Sequence, residues 1–440
     1  MVDAWQDRSE DPNAGTVPFK NFVGLNNRLP PERLSPQELV QAINVDIDDS
    51  GGVRSRAGFV SVLTGRCHSI WAEGNLCLFV KDEQLTQLLP DLTAVPLGLF
   101  GLDAMHPLSY VMVNGTVYFT NGVLTGAYQN GQLRSWGLIQ PPPPSAELIT
   151  GGALSGCSIG FTATYLRSDG QESGAGNIGA IQVPQGAYGI QWTIQQPTDP
   201  DITQIRIYMT GPNGSEFFLA AQVPVGTKTA VYTGDGSDLN VPMWTQFMGA
   251  PPAGSQAVIF NSRILIAQGQ LLWYTEPFSF ELMAQDENFL WFSSNITMVA
   301  PVAEGVFVAT ETETVFLEGM DVAKATRLPK TSYGAIPGTL AYTDGSLVGG
   351  GQFTSTVAMW ATPQGICAGG NEGFIKGVMK NLTQAKVAMT DAPQGAGLFR
   401  QTNGINQYLS MLNTNQDSQN AFMGDDVTAT VIRNGQIVST

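Results

Sequence analysis

Asp46, Asp48, Ser50 and Gly51 stand at the first, third, fifth and sixth positions of a calcium-loop pattern, where oxygen ligands and a sharp glycine turn are needed. The twelfth position is Ala57, where a bidentate glutamate belongs, and no helix pair flanks the loop, so the stretch reads as an acidic β-turn. Gly174, Gly176 and Gly179 spell G-x-G-x-x-G. That fingerprint binds a dinucleotide only where it ends a strand and opens a helix facing the pyrophosphate, and the residues that follow, AIQVPQ, read as strand. His68 and His106 are the only histidines, and neither accompanies a G-x-S-x-G elbow or a matching cysteine pattern. Cys67, Cys77, Cys157 and Cys367 contain no C-x-x-C, so a zinc site built on Cys67, His68 and Cys77 is not expected, and the thiols read as buried and inert. Glu311 and Glu313 lie two apart in ATETETVFLEG, which on a strand puts both carboxylates on one face and offers the pair that glycoside hydrolysis uses. The same alternation marks a half-exposed strand, and no Ser-x-Asp-x-Gly-x-Thr-Trp repeat accompanies it. No residue is therefore expected to be catalytic, to bind a cofactor or to hold a metal.

The elements that would carry these residues are short strands. Residues 1–15 read as a mobile arm. SPQELVQAIN has Ser35 as N-cap, Pro36 at the first helical position and Glu38 at the third, which predicts a short helix. NVDIDDSGGVRSRAGF reads as strand, turn, strand, and is the candidate for pairing with the chain's C-terminal strands. From there to Leu138, two stretches repeat one rhythm of strand, tight turn and strand, with turns at Glu73-Gly74-Asn75 and Asn114-Gly115. Pro141 to Pro144 stop it, and about seven alternating strands follow, with Phe161, Ala163 and Tyr165 on one face, as are Ile205, Ile207 and Met209. The first rhythm returns at Ala257 for four more units. Strands TATVIRN and QIVST end the chain. Trp273, Tyr274, Phe278, Phe280, Phe289, Trp291 and Phe292 read as core of these units.

The expected fold class is all-β: a β-propeller of about six blades with an inserted immunoglobulin-like β-sandwich. The expected segments are 1–60 (arm and closing strands), 61–138 (first blades), 139–238 (sandwich), 239–415 (later blades) and 416–440 (C-terminal strands). Composition agrees. Charged residues are 13%, against about 25% in ordinary globular chains, too few for the wet faces of long helices, while 50 Gly and 26 Pro suit many turns. With 37 acidic and 21 basic residues, net −16, the chain lacks the Lys and Arg clusters that grip nucleic acid. A conduit through which DNA slides is better served by repulsion. No window reaches the roughly 18 apolar residues of a membrane span, and a polar, acid-rich N-terminus with four cysteines argues for synthesis in a reducing cytoplasm. The tripeptides at Asn114, Asn213, Asn295 and Asn381 then carry no weight as glycosylation sites.

Gly24 to Asn27, Asn44 to Asp46 and Arg54 to Gly58 form phrases that resemble the opening of the tail nozzle (tail tube propeller) proteins of short-tailed, podovirus-type bacteriophages. Phe260 to Phe278 and Trp360 to Gly373 are similar to later blades of that group, and ATYLRSDGQESGAG resembles its inserted sandwich. The resemblance spans most of the chain in phrasing and order and carries no catalytic signature. It implies a non-enzymatic virion protein of the phage tail, made in the host bacterial cytoplasm. Such a protein forms a homo-oligomeric ring, expected to be a hexamer, that retains packaged DNA and conducts it on ejection. The implied partners are other copies of the chain, a tail adaptor above, tail fibre, spike or needle proteins around or below, and transiently double-stranded DNA. A receptor-binding tail module and a glycan-degrading tail protein are the alternatives. Ring formation, host-cell binding by a monomer or trimer, and sugar-polymer loss abolished by Glu311→Gln separate the three.

Overall fold

A computed structural model of the chain describes residues 21–26, 29–42, 45–48, 50–56, 58, 60–348, 353–377, 394–402, 405–413, 427–433 and 436–439. The expected mobile arm, Ala57 and Asn381 lie outside them. The described residues are all-β: helix is confined to single turns, the longest being Gly345–Val348. No helix among them is long and apolar enough to cross a membrane. The chain divides into two compact units, Ser61–Pro301 with Gly305–Pro329, and Met1–Val60 with Val302–Glu304 and Lys330–Thr440.

The first unit is built from four-stranded meanders, whose strands neighbour one another in sequence order, and an insertion. Cys67–Glu73, Leu76–Lys81, Gln84–Leu88 and Ala94–Phe100 form the first meander, and Ser109–Val113, Thr116–Thr120, Thr125–Gln129 and Gln132–Arg134 the second. Two-residue turns set their registers. Asn114 and Gly115 have φ of 51° and 78°, the paired positive values of the hairpin turn whose twist matches the strands, and Val113 lies opposite Thr116. Gln256–Phe260, Arg263–Gln268, Leu271–Tyr274 and Phe289–Trp291 form the third meander, and Ile296–Val302, Gly305–Thr310, Thr314–Glu318 and Thr326–Thr331 the fourth. Both faces of the second and third sheets are buried. Val117 and Phe119 join Leu78, Val80 and Leu85 of the first meander, while Tyr118, on the opposite face, joins Ile264 and Ile266 of the third. The third packs in turn on the fourth through Leu265, Leu272, Val306 and Leu317.

The insertion has seven strands in two sheets. Ser145–Leu154, Tyr188–Thr193 and Thr229–Tyr232 form one; Gly179–Val183, Cys157–Arg167, Ile202–Thr210 and Phe217–Pro224 form the other. The faces read from sequence meet as expected. Phe161, Ala163 and Tyr165 pair with Met209, Ile207 and Ile205, and all six are buried. Fully buried Trp192, from the facing sheet, stands edge-on to Phe161 with ring centroids 6.4 Å apart.

The second unit holds the last two meanders. Ala341–Asp344, Thr356–Thr362, Gly365–Gly369 and Ile375–Gly377 form one; Gln394–Thr402, Ile405–Asn413, Val427–Arg433 and Gln436–Ser439 form the other, and Met359 and Tyr408 share a core between them. The C-terminal strands thus complete the last meander as its own hairpin. The N-terminal stretch does not pair with them: Val45–Ile47 and Val53–Ser55 pair only with each other among the described residues. The helix expected at Ser35 is absent. Its capping-box contacts exist, with Ser35 N–H donating to Glu38 Oε2 at 2.8 Å and Gln37 N–H to Ser35 Oγ at 3.2 Å, but they close a turn. Glu38–Leu39 then runs parallel to Gly24–Leu25, and Asn26 donates to Glu38 Oε1 at 2.9 Å. Short-range side-chain bonds of this kind stabilise a turn as readily as a helix start.

Candidate functional site

The two aspartates of the calcium-like loop are separated by their work. Asp48 Oδ1 accepts from Ser50 Oγ, Ser50 N–H at 3.0 Å and Gly52 N–H at 2.9 Å, and these bonds, the serine hydroxyl first, hold its carboxyl below the ordinary value. Asp46, on the preceding strand, is buried. It accepts from Gln407 Nε2 at 3.0 Å and pairs with Arg56 and Arg400, each at 3.6 Å. Cations are thus supplied to Asp46 by the protein itself.

The three glycines of GAGNIG serve close packing. A Cβ at Gly174 would lie 1.6 Å from the Met248 carbonyl oxygen, one at Gly176 1.9 Å from the Pro141 oxygen, and one at Gly179 2.4 Å from the Phe161 ring. Strand Gly179–Val183, not a helix, follows.

His68 lies with Nδ1 2.9 Å from the Ser69 hydroxyl and Nε2 3.3 Å from the Leu102 carbonyl, so both nitrogens have structural partners. His106 pairs with Asp103 at 3.0 Å on the surface. Cys67 is exposed, contrary to the expectation of a buried thiol, because it opens an edge strand; Cys157 and Cys367 are buried, and partial burial pushes the Cys77 thiol up. No group of three His, Cys, Asp or Glu side chains that could hold a metal occurs among the described residues.

Glu311 and Glu313 are not on a strand. They sit in the turn between Gly305–Thr310 and Thr314–Glu318, where Asn295 Nδ2 donates to Glu311 and Ser293 Oγ to Glu313, each at 3.0 Å. Thr310 caps that turn by accepting from Glu313 N–H at 3.2 Å, which breaks the alternation the sequence implies. The aromatic run also divides. Tyr274 and Phe292 are core, Trp273 packs on Phe289 at 5.2 Å, but Trp291 is exposed and Phe278, at φ 60°, is 82% exposed.

A dense constellation of ionisable groups around Glu281 was not foreseen. Glu281, 4% exposed, accepts from Arg167 Nη2 at 2.9 Å on both oxygens. Its Oε1 also accepts from Arg134 at 2.7 Å and Tyr118 OH at 3.1 Å, and its Oε2 from Gly137 N–H at 3.2 Å. Arg167 keeps a second partner, Asp169, at 2.8 Å. Burial and the neighbouring Glu281 push the Tyr118 phenol well up. Arg167 belongs to the insertion and Tyr118 and Arg134 to the second meander, so this carboxylate fixes one to the other. A second buried carboxylate, Glu172, is held inside the insertion by Thr164 and Arg206, each at 2.6 Å, and by Tyr208 at 2.8 Å. Groups so fully paired are held in one geometry and offer no free base. Beside the Glu281 cluster lies a cleft of about 520 Å³, lined by residues such as Leu133, Arg134, Ile139, Tyr165, Pro197 and Asp199; neither histidine nor cysteine lines it.

No family model matches the chain, and no curated protein matches it. Among solved structures, the chain is similar to the N-terminal domain of Nup159 (10% identity over 78% of this chain and 72% of that one, TM-score 0.29). It is also similar to BBS1N from a complex with ARL6DN (10%, 77% and 84%, TM-score 0.28) and to the computationally designed Ika8 protein (9%, 85% and 96%, TM-score 0.25). Likenesses at these TM-scores carry no argument about this chain.

Proposed function

We propose that this chain is a non-enzymatic structural subunit, a six-bladed β-propeller interrupted by an immunoglobulin-like sandwich, which assembles as the ring of a short-tailed phage's tail nozzle. One observation carries the reading: successive four-stranded meanders, two before the insertion and four after it, in which neighbours within each unit share a core. Four-stranded meanders packed face to face in succession are what a propeller's blades are made of, which supports this reading. The phrases at Gly24 to Asn27, Asn44 to Asp46 and Arg54 to Gly58 support the phage assignment. The commitment of Glu281, Glu172 and Asp46 to arginines supports a scaffold over an enzyme. A net charge of −16 suits a passage that DNA must slide through without sticking.

Light scattering on a size-exclusion peak, with negative-stain images of the same peak, tests this. A ring with a central hole is the expected result, alone or on its adaptor. A single chain under both conditions overturns the ring and leaves the receptor-binding module.

A further inference from the structure

We infer that the surface around Trp244 and Phe247 is the contact by which one copy of this chain holds the next. Trp244 is 54% exposed and Phe247 66%, with exposed Val241 beside them. Clustered large apolar groups left in water mark an interaction surface, and exposed tryptophan and phenylalanine are typical anchors of one.

These side chains stand on a pinned backbone. Val241 O accepts from Leu219 N–H at 2.8 Å and Met243 N–H donates to Phe217 O at 2.8 Å, so the segment lies along edge strand Phe217–Pro224 of the insertion. Thr245 O accepts from Ala175 N–H at 3.1 Å, and Met248 O accepts from Gln140 Nε2 at 2.8 Å. The Gly174 and Gly176 approaches lock the same crossing. Two further exposed apolar residues sit on the strands of chain that cross here: Ile139, next to Gln140, and Ile178, two residues beyond Gly176. Anchors already held in place lose little entropy on docking. Because the segment itself pairs with Phe217 to Leu219 at the start of that edge strand, the contact at these anchors is side-chain packing and not strand addition.

Charge identifies the occupant. The stretches that cross here, residues 135–146, 173–178 and 239–248, contain no Asp, Glu, Lys or Arg, and charge enters only at the Ile139 side, where Arg134 and Asp199 line the neighbouring cleft. Elsewhere the chain is strongly acidic, so two identical copies repel wherever their charged faces meet. An uncharged surface is where a second copy can approach without that cost, whereas a basic partner would be drawn to the acidic remainder. A ring further requires this patch to meet a different surface of the next copy, a heterologous contact. The inference rests on the proposed homo-oligomeric ring and names its adhesive surface.

The test is light scattering on the wild-type chain and on the double variant W244E/F247E, with F278E as a control at another exposed aromatic. Expected are a wild-type ring, a folded double variant whose self-association is weakened by roughly thirtyfold or more, the scale of interface hot spots, and an F278E ring. Added salt should leave the wild-type ring intact or tighten it, since an uncharged contact is not screened. A folded double variant that assembles undiminished, or a ring that salt dissolves, overturns the inference and leaves the ring reading standing. A wild-type chain that stays single, with and without adaptor, overturns both. If the double variant does not fold, hydrogen exchange decides on wild type: amides of residues 241–248 should slow about tenfold or more in the ring peak relative to the single chain, and unchanged rates overturn the inference.

Discussion

Replacing Glu281 by glutamine should lower the stability of the unit that contains it by about 3 kcal/mol. Removing one partner of a buried ion pair costs roughly 3–5 kcal/mol, because the charge left behind has lost its compensation. Two features place this case at the low end. Arg167 keeps Asp169, with contacts of 3.1, 3.1 and 2.8 Å, and the Arg134 side chain is 13% exposed, so water relieves part of its loss. The amide also retains one oxygen for the Gly137 N–H. The assay is denaturant unfolding followed by tryptophan fluorescence. Trp136 reports locally, since its indole N–H donates to the Phe280 carbonyl at 2.8 Å, one residue from Glu281. A chain of two compact units calls for fitting two transitions, with the loss confined to one. The stronger test is a cycle with Arg167→Met: the double variant should be less destabilised than the sum of the single ones by about 2 kcal/mol. Losses that add to within about 0.5 kcal/mol would mean that the pair is not energetically coupled, and the reasoning would fall.

Gly174→Ala should destabilise the same unit by about 3 kcal/mol, the upper range of overpacking, because its Cβ would meet the Met248 carbonyl; an unchanged midpoint would show that the crossing can open. Asp46→Asn should leave Arg56 and Arg400 facing a neutral amide, and limited proteolysis within residues 29–56 should accelerate; equal cleavage rates would remove this pairing from the account of how the hairpin is held. Tyr232, pushed up to about 12 by burial and by its hydrogen bond to Asp238, is raised above its unfolded value of 10.0. Its contribution to stability is present below pH 10 and lost as pH rises towards 12. Difference absorbance of phenolate between wild type and Tyr232→Phe should show that group titrating near 12 in the native chain, and a step at 10 would contradict it.

Much of the fold could be read from local chemistry. Asn114-Gly115 supplies the two positive φ values a tight hairpin needs, and alternation in Phe161–Tyr165 and Ile205–Met209 names the buried face without knowledge of the partner sheet. Where the reading failed, a local pattern had two physical outcomes. The Ser35–Glu38 contacts close a turn as well as a helix, and the alternation through Glu311 and Glu313 is interrupted by a threonine-capped turn. The aromatic run from Trp273 to Phe292 carries no period that separates Tyr274, which is buried, from Phe278, which is not. Glu281 left no signal at all. Its arginines stand 114 and 147 residues away, and only the packing of the insertion on the meanders brings them together.

Those separations also set a timetable for the chain's synthesis. Each meander is complete as soon as its own few dozen residues emerge, so the sheets can form one after another from the N-terminal side. Arg167, by contrast, must wait for Glu281, 114 residues later, which at about 5–20 residues per second is roughly 6–23 s. Asp46 waits longest: Gln407 lies 361 residues downstream, or roughly 18–72 s at the same rates. The N-terminal hairpin is therefore made first and secured last, and a ribosome stalled before residue 407 would hold a chain whose meanders are largely formed while its beginning is still open to proteases.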